Sequence, residues 1–304
     1  MEKIIEVKGL VKNYGPVEAV KGIDFYVEKG KLFAFLGPNG AGKTTTINVI
    51  CTLLTMNAGD VVVNNKTVGK EDASIREDIG IVFQDGVLDS YLTVKENLLT
   101  RGSFYHMEQA KLENAAYEAM QIVDILDLEN RRYGTLSGGQ RRRADIARAL
   151  IHHPKILFLD EPTTGLDPQT RLNVWNTIQE LQKKTGMTVF LTTHYMEEAE
   201  EADYVIVIDD GKIAAKGTPT DLKDCYSKDT LRIKPKDRNR LRTQLDNLQI
   251  DYREKNDLII ITLIDTLAAL PLLSSLESEI ESFQVLNGTM DDAFIGITGK
   301  EIRQ

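Results

Sequence analysis

The chain has 304 residues, of which 42% are hydrophobic and 27% charged, and its formal net charge at pH 7 is −9. This is the composition of a globular protein with one large domain or two. The acidic balance argues against a nucleic-acid-binding surface, because binding to phosphate backbones depends on clustered lysine and arginine.

The cysteines and the apolar segments exclude further classes. Cys51 and Cys225 lie far apart and outside any CxxC or CxxH spacing, so the sequence indicates neither a disulfide framework nor a zinc site, as in a reducing cytosol. The opening MEKIIEVKG carries charges where a signal peptide needs an apolar core. LIIITLI at 258–264 is about a third of a bilayer-spanning length. We therefore expect a soluble chain that reaches a membrane only through a partner.

The first 36 residues are predicted to form antiparallel strands that flank the loop after them. Period-2 segments occur through this region, and IDFYVEKGKLFAFLG is expected to fold back on itself at Gly30. Residues 32–36 are continuously apolar, which is typical of a buried strand.

The segment GPNGAGKT at 37–44 matches the phosphate-binding pattern G-x-x-x-x-G-K-[ST] and lies between that apolar strand and a predicted helix. Glycines let the backbone wrap a β-phosphate with its N–H groups pointing inward. Lys43 is expected to reach the β- and γ-phosphates, and the Thr44 hydroxyl to ligate Mg²⁺. A chance glycine-rich turn is the alternative, which the placement of the segment disfavours. The predicted phosphate-binding residues are Gly37, Pro38, Asn39, Gly40, Ala41, Gly42, Lys43, Thr44 and Thr45.

Residues from about 85 to 154 are rich in helical patterns, including TVKENLLTRGSFYH, EQAKLENAAYEAMQIVDILD and the helix after LSGGQ at 136–140. A serine and two glycines before a helix offer free N–H groups at the positive end of a helix dipole, which favours an anion. Ser137 also fits a helix N-cap. The run Arg141–Arg143 is predicted to be the solvated face of this helix rather than a group of ligands.

A second apolar strand, residues 156–159, ends in two adjacent carboxylates, Asp160 and Glu161. Two adjacent carboxylates at the end of a buried strand are unfavourable in free energy unless they bind a cation or serve to accept a proton. Successive side chains of a strand point in different directions. Asp160 is therefore expected to bind Mg²⁺ through its water shell, and Glu161 to orient and deprotonate the attacking water. A solvated turn after a core strand is the alternative.

A third strand, residues 188–193, delivers His194 at its end. A lone histidine is more often structural, but ligands of α/β sheets bind at the carboxyl ends of the strands, so we expect a γ-phosphate contact. The hairpin YVIVIDDGKIAAKGT, with a tight turn at Asp210–Gly211, is predicted to end this domain near residue 220.

Residues 221–304 are predicted to form a small α+β domain. Strands TLRIKP, DLIIITLI and SFQVLN alternate with helices RNRLRTQLDNL, TLAALPLLSSLESEI and TMDDAFIGITG. Thr289 and Asp292 fit a capping box. No catalytic constellation is found here, and the domain is interpreted as dimer-stabilising or regulatory.

A set of motifs in chain order carries a family resemblance. They are Tyr14, GPNGAGKTT at 37–45, Gln84 in VFQD, LSGGQ at 136–140, ILFLDE at 156–161, GLD at 165–167 and His194. Over about residues 3–220 the chain resembles the nucleotide-binding subunit of an ABC transporter, for which LSGGQ shortly before the ILFLDE strand is highly specific. The resemblance implies an α/β P-loop ATPase core over residues 1–220. This core has a mixed sheet, an antiparallel β subdomain and an inserted helical subdomain at about 85–154.

The resemblance also implies why one chain has two phosphate-binding segments. In the family, LSGGQ faces the γ-phosphate of the ATP on the opposite subunit, so two chains sandwich each ATP in a self-complementary homodimer. Tyr14 would stack under adenine, Gln84 would reach Mg²⁺ and the attacking water, and Asp167 would touch the other subunit's site. The implied cofactors are ATP and Mg²⁺. The LSGGQ residues assigned to ATP are Ser137, Gly138, Gly139 and Gln140.

Between Gln84 and the helical subdomain lies the predicted loop DGVLDSYLTVKENL. Two interpretations of its apolar residues stay open. One is ordinary core packing, and the other is a groove for a helix of a membrane subunit, which an exposed apolar cluster would favour. The residues are Val87, Leu88, Tyr91 and Leu92.

TMDDAFIGITGK, GGQRRRADIARAL and PTTGLDPQTR resemble the ATPase subunits of drug-resistance ABC exporters. That resemblance implies an ATP-hydrolysing subunit at the cytoplasmic face of the cell membrane, which energises export of a drug-like, lipid-linked or other amphipathic compound through a separately encoded permease. An importer subunit, a non-transport ATPase acting on ribosomes or DNA, and a scaffold without hydrolysis are the alternatives. The absence of heptads and the single ATPase half disfavour the second, and intact Glu161 and His194 the third.

Overall fold

The computed structural model of the chain describes residues 2–299. Met1 and residues 300–304, which include the last residue of TMDDAFIGITGK, lie outside the described part. The described residues form two compact units, one ending at Lys216 and the other beginning at Gly217. No helix among residues 2–299 is long and apolar enough to cross a membrane. Both cysteines are free thiols, Cys51 buried and Cys225 exposed.

The first unit combines two sheets with a group of helices. Its strands are β1 (Lys3–Tyr14), β2 (Val17–Glu28), β3 (Leu32–Leu36), β4 (Ala58–Val63), β5 (Lys66–Thr67), β6 (Ile79–Val82), β7 (Ile156–Asp160), β8 (Thr188–Thr193), β9 (Tyr204–Asp209) and β10 (Lys212–Gly217). Its helices are α1 (Lys43–Ile50), α2 (Asp72–Asp78), α3 (Val94–Gly102), α4 (Gln109–Ile122), α5 (Gly138–Leu150), α6 (Pro168–Thr185) and α7 (Met196–Glu200).

A six-stranded sheet in the order β10-β9-β3-β8-β7-β6 forms the centre of this unit. β3 pairs in parallel with β8 and β9, β7 with β8, and β6 with β7. Every residue of β3, β7 and β8 is buried, which explains the continuous apolar sequences of β3 and of residues 156–159. In β8 the buried positions include three threonines. Because these strands are parallel neighbours, their carboxyl ends lie side by side and bring together the chain segments that follow Leu36, Leu159 and Thr193.

The predicted fold-back at Gly30 is wrong. β2 pairs with β1, in the sheet ordered β2-β1-β4-β5, whereas β3 belongs to the central sheet. β2 alternates between buried and exposed residues and therefore needs one covered face, while β3 is apolar throughout and needs two. Phe25 of β2 and Phe33 of β3 accordingly stack with ring centroids 5.8 Å apart. Gly30, at φ 75°, turns the chain from one sheet into the other.

The helical insert forms as predicted, with α3, α4 and α5 as its helices. Thr93 caps α3 through a full capping box with Glu96. α5 is in contact with both other helices, and its buried residues include Ala144, Ala147 and Ala149. The hairpin turn at Asp210–Gly211 is also confirmed, since both residues have positive φ, 46° and 74°.

The second unit has a β-α-β-β-α-β core of the ferredoxin-like kind. Its elements are α8 (Pro219–Tyr226), β11 (Asp229–Pro235), α9 (Arg238–Asn247), β12 (Tyr252–Lys255), β13 (Leu258–Leu263), α10 (Ala269–Leu276), β14 (Ile280–Leu286) and α11 (Met290–Thr298). The strand order is β12-β13-β11-β14, with every neighbouring pair antiparallel. β12 is absent from the sequence prediction because it is a short, mostly exposed edge strand without an apolar pattern.

Helices α8 and α11 pack against each other at a close approach of backbones. A Cβ added at Gly296 of α11 would lie 2.3 Å from the carbonyl oxygen of Tyr226, so only glycine fits there. The predicted capping box is confirmed, since both reciprocal hydrogen bonds between Thr289 and Asp292 are present. The segment that begins at Thr289 and forms α11 therefore has a defined packing role within the second unit.

Candidate functional site

The loop between β3 and α1 is shaped by two close backbone approaches. A Cβ added at Gly37 would lie 2.4 Å from the carbonyl oxygen of Ile208, and one at Gly42 would lie 2.5 Å from that of Ala19. Gly42 also has φ 105°, so a side chain is excluded by both space and conformation. Gly40, at φ 81°, faces open space. The glycine positions in this loop are therefore explained by the geometry of the backbone where α1 begins.

Lys43 is the first residue of α1, and its side chain lies across the loop. Its Nζ donates to the carbonyl oxygens of Gly37, at 2.8 Å, and Pro38, at 3.2 Å. The side chain is only 4% exposed. An ammonium group held in a glycine-rich concavity at a helix N-terminus is a suitable environment for phosphate oxygens.

Asp160, at the end of β7, meets two hydroxyl groups. Thr44 Oγ1 donates to Asp160 Oδ1 at 3.2 Å, and Thr192 Oγ1 donates to the same oxygen at 2.5 Å. The structure thus brings together Thr44 and Asp160, which sequence reasoning assigned to one metal ion. Thr192 was not singled out from the sequence, although a polar residue near the end of a buried strand was the available signal.

Glu161 lies between two basic side chains. Its Oε1 is 3.1 Å from Lys43 Nζ, and its Oε2 is 3.3 Å from His194 Nδ1. Contact with His194, followed by the charge of Lys43, lowers the pKa of Glu161 to about 2, although burial acts in the opposite direction. Glu161 is therefore ionised at neutral pH.

The backbone of Glu161 has φ 45°, a left-handed conformation that costs a non-glycine residue energy. Its N–H donates to both the carbonyl and the hydroxyl oxygen of Thr192, each at 3.1 Å. The neighbouring strand therefore holds the turn that aims this carboxylate. His194 follows the same strand, so β7 and β8 together position the acid and the histidine.

LSGGQ begins α5 with a full capping box. Gln140 N–H donates to Ser137 Oγ at 3.4 Å, and Ser137 N–H donates to Gln140 Oε1 at 3.0 Å. The predicted N-cap at Ser137 is confirmed, and the two side chains satisfy each other.

The glycines of this motif pack against the GLD segment and α6. A Cβ added at Gly139 would lie 2.4 Å from Thr170 Cγ2, and one at Gly138 would lie 3.0 Å from Leu166 Cδ2. Asp167 caps α6 by accepting from Thr170 N–H at 3.0 Å. Hydrogen bonding by the Thr170 side chain and then by its N–H lowers the pKa of the Asp167 carboxyl. Gly139 thus has a packing reason within its own chain, and the presence of glycine there is not by itself a sign of a ligand.

The prediction that Arg141–Arg143 is a solvated face is wrong for its middle residue. Arg142 is 6% exposed and donates to the carbonyl oxygens of Phe83, Asp160, Glu161 and Pro162. It lies three residues before buried Asp145 and four before buried Ile146, so it faces the interior of the unit. Arg141 is exposed, and Arg143 is partly exposed.

Tyr14 and Gln84 lie apart from this network. Tyr14 ends β1 and is 47% exposed, with Lys12 Nζ 5.3 Å from its ring centroid. Gln84 is exposed in the bend after β6. Within residues 2–299, the contacts described above connect Lys43, Thr44, Asp160, Glu161, Thr192 and His194, but do not include these two.

The apolar residues of the loop after Gln84 differ in exposure, so each of the two interpretations given for the loop fits some of them. Leu88 is buried at 8% exposure, whereas Tyr91 is 82% exposed and Val87 is 37% exposed. Leu92 is intermediate. Core packing therefore accounts for one residue, while Tyr91 and Val87 remain accessible to a partner. The described residues contain no group of three or more His, Cys, Asp or Glu side chains that could hold a metal ion.

Comparison with known proteins identifies the family. The family profile described as ABC transporter matches residues 20–164. The chain is 36% identical over 308 residues to the daunorubicin/doxorubicin resistance ATP-binding protein DrrA of Streptomyces peucetius, with 98% of this chain and 93% of that protein covered. This chain belongs to the ABC transporter ATP-binding proteins. It is an ATPase of that family and binds ATP, in the drug-resistance exporter branch to which its motifs pointed.

Two further relatives support the same family assignment. This chain is 41% identical over 229 residues to the linearmycin resistance ATP-binding protein LnrL of Bacillus subtilis, and the match covers 75% of this chain and 73% of that protein. It is 35% identical over 304 residues to the Nod factor export ATP-binding protein I of Cupriavidus pinatubonensis, covering 99% and 92%.

Solved structures show the same fold. CbiO1 of Clostridium perfringens, part of an ABC transporter complex, superposes with a TM-score of 0.68 at 31% identity over 73% of this chain and 91% of that one. The ATP-binding cassette MJ0796, a dimer in a post-hydrolysis state bound to ADP and Pi, gives 0.64 at 29% identity over 70% and 98%. The predicted α/β P-loop ABC ATPase fold is therefore confirmed.

Proposed function

We propose that this ABC ATPase energises a separately encoded membrane permease that exports a drug-like, lipid-linked or other amphipathic compound. The observation that carries the proposal is the near full-length similarity to a daunorubicin/doxorubicin resistance protein and to a Nod factor export protein, which includes the second unit. The ATPase would lie at the cytoplasmic face of the membrane. Its exposed Tyr91 and Val87, next to Gln84, are the proposed contacts with the permease.

The proposed site divides into phosphate-binding, metal-binding and proton-accepting groups. Residues 37–45, which include Lys43, would hold the phosphates. Thr44 and Asp160 would hold Mg²⁺, since their oxygens already converge and oxygen ligands suit this cation. Mg²⁺ would neutralise charge on the phosphates when bound. Gln84 would join it there.

Glu161 is the proposed base. It is ionised, it is held by a strained backbone turn, and its carboxylate contacts His194. A carboxylate in this state can orient a water molecule and accept its proton. Within this proposal His194 contacts the γ-phosphate, and Tyr14 stacks under the adenine.

We also propose that two copies sandwich ATP. Ser137 at the start of α5 is exposed, and its hydroxyl accepts from Gln140 N–H of the same chain, so its side chain remains accessible to a second copy. Its relative MJ0796 is dimeric with ADP and Pi bound. Ser137, Gly138, Gly139 and Gln140 would face the partner's ATP, and Asp167 would lie near the partner's site.

The second unit is proposed to stabilise that dimer or regulate it. It has its own buried core, which includes Leu231, Ile233 and Ile261. Its edge strand β14 is exposed, with Phe283 51% exposed. Phe283→Lys is expected to weaken ATP-dependent dimerisation and to leave ATP affinity unchanged. Equal dimerisation of the variant and the parent in analytical ultracentrifugation would contradict this role.

The transport proposal is tested by affinity purification of the full chain from membranes of its host, followed by mass spectrometry. Recovery of an integral membrane protein whose presence stimulates ATP hydrolysis is expected. Recovery with ribosomes or DNA, and no integral membrane protein, would overturn it. Reconstitution of the recovered pair in vesicles then gives the direction of transport.

A further inference from the structure

Helix α5 lies along the free edge of the central sheet. Within residues 2–299, β6 is the last strand of that sheet and pairs only with β7. Three side chains from α5 and the turn after it bind carbonyl oxygens of this edge: Arg142 binds that of Phe83, Arg148 that of Ile81 and His152 that of Ile79.

The spacing of these contacts fits antiparallel alignment of the helix and the strand. Residues 79, 81 and 83 alternate, so their carbonyl groups point toward the same side. The ten-residue separation of Arg142 and His152 corresponds to about 15 Å of helix, and the four-residue separation of residues 79 and 83 to about 13 Å of strand. The sheet edge is thus closed by side chains from the helix that carries LSGGQ and from the turn after it.

Arg142 differs from the other two because it also reaches the end of β7. Its guanidinium donates to the carbonyl oxygens of Asp160, at 3.2 Å, and Glu161, at 3.1 Å, and to that of Pro162. One buried side chain therefore binds the residue before Gln84 and three consecutive residues around Glu161. A guanidinium has five N–H donors in a planar fork, which lysine cannot reproduce.

The contact matters most at Glu161, whose left-handed backbone persists only if its surroundings hold it. Thr192 fixes the N–H of Glu161, and Arg142 fixes its carbonyl oxygen. With both sides of the residue held, the carboxylate is directed toward Lys43 and His194.

We propose that Arg142 is a positioning residue for ATP hydrolysis. It keeps the turn at Glu161 and the bend at Gln84 in fixed register with the helix that begins at Ser137. Any displacement of this helix N-terminus then moves both segments together. The inference rests on the proposed roles of Glu161 and Gln84 in hydrolysis.

Arg148 provides a matched control. It is on the same helix, is partly buried and binds the same strand edge, but its backbone contact is with Ile81 and not with residues 160–162. Arg142→Met and Arg148→Met each remove a guanidinium from this interface. Only the first releases the turn at Glu161.

The experiment measures nucleotide affinity, steady-state hydrolysis and amide hydrogen exchange for both variants of the full chain. In Arg142→Met, kcat is expected to fall about 10- to 100-fold, because small misplacements of catalytic groups are costly, with ATP affinity within about 3-fold of the parent. Exchange should quicken in residues 83–85 and 160–165 together. In Arg148→Met, kcat and exchange in residues 160–165 should stay near parental values.

Equal loss of kcat in the two variants would overturn the inference, because both would then act through general stability. So would loss of ATP affinity as large as the loss of kcat in Arg142→Met. Arg142→Lys, which keeps a cation in the buried position, is measured in the same way and should retain the kcat defect. Restoration of parental kcat by lysine would contradict the requirement for several planar guanidinium N–H donors, because a buried positive charge would then be sufficient.

A parallel Glu161→Gln variant separates this inference from the proposed function. Parental hydrolysis by Glu161→Gln would refute the role of Glu161 as the base. The hydrogen-exchange comparison does not depend on that result. Unchanged exchange in both segments of Arg142→Met would refute the positioning contact itself, whatever Glu161 does.

Discussion

The loop at residues 37–44 and the LSGGQ segment at 136–140 are both rich in glycine and each leads into a helix, but they are built differently. In the first, backbone carbonyl groups exclude side chains at Gly37 and Gly42. In the second, Gly139 avoids only the methyl group of Thr170. A glycine-rich segment before a helix can therefore reflect two distinct physical requirements.

The two segments also differ in charge. The first contains Lys43, which contacts Glu161 and lies near the Thr44–Asp160 pair. The second presents a neutral capping box between Ser137 and Gln140. The first has charged partners within its own chain. The second offers a helix N-terminus, which fits its proposed role toward a second copy.

The largest expected effect comes from Ser137→Arg. In the proposed ATP sandwich, an arginine at this helix N-terminus would obstruct the phosphates bound by the second copy but would not touch the loop at 37–44 of its own chain. Turnover should fall at least about 100-fold while ATP affinity stays within about 3-fold. Filter-binding and phosphate-release assays measure the two quantities. Equal losses of binding and turnover would contradict the division between the segments.

Gly42→Ala should be the more destabilising of two matched glycine substitutions in the first loop. Its Cβ would lie 2.5 Å from a backbone oxygen at φ 105°, so we expect a loss of about 3 kcal/mol or more in unfolding free energy. Gly40→Ala, at φ 81° in open space, should cost only about 1 kcal/mol. Urea denaturation compares them, and similar losses would show that the backbone contact is unimportant.

Gly139→Ala should cost less, about 1–3 kcal/mol, because the clash is with a side chain. Thr170→Ser removes the methyl group that the new Cβ would meet. In the double variant Gly139→Ala/Thr170→Ser, much of the stability lost in Gly139→Ala should return. Strict additivity of the two single changes in a double-mutant cycle would disprove the packing explanation.

The smallest expected effect is that of Ser137→Ala, which removes the side-chain cap of α5. A loss of about 1 kcal/mol in unfolding free energy is expected. Thr93→Ala, which removes the equivalent capping box of α3, provides the reference outside the proposed site. A loss well above that of Thr93→Ala would show that Ser137 does more than cap its helix in the single chain.

The central strands and the site segments could be predicted because the sequence signal was local. β3 is apolar at every position, β7 at every position before Asp160, and β8 has a Val-Phe-Leu centre flanked by threonines; the loop, carboxylates and histidine lie at their ends. Parallel neighbours then bring these ends together. The contacts of Glu161 with Lys43 and His194 follow from that arrangement.

What could not be predicted depended on distant partners. Arg142 belongs to a run of three arginines, and only the carbonyl groups of β6 and β7 decide that it is buried. Arg142 lies three residues before Asp145 and four before Ile146, so helical periodicity places it on the same face as these two residues and could have indicated that it is buried. The pairing of β2 was misassigned at Gly30 because a short turn between strands predicts a hairpin, and only the two-sided burial of β3 separates the sheets.

The side chains of α5 and of the turn after it, which lie along β6, have a consequence for solubility. An open sheet edge recruits strands from other molecules through its unused hydrogen-bonding groups, which is a common start of aggregation. Here Arg142, Arg148 and His152 occupy the carbonyl acceptors of Phe83, Ile81 and Ile79. A foreign strand would have to displace two guanidinium groups before it could add to this margin, so the largest sheet of the protein is protected there from polymerisation.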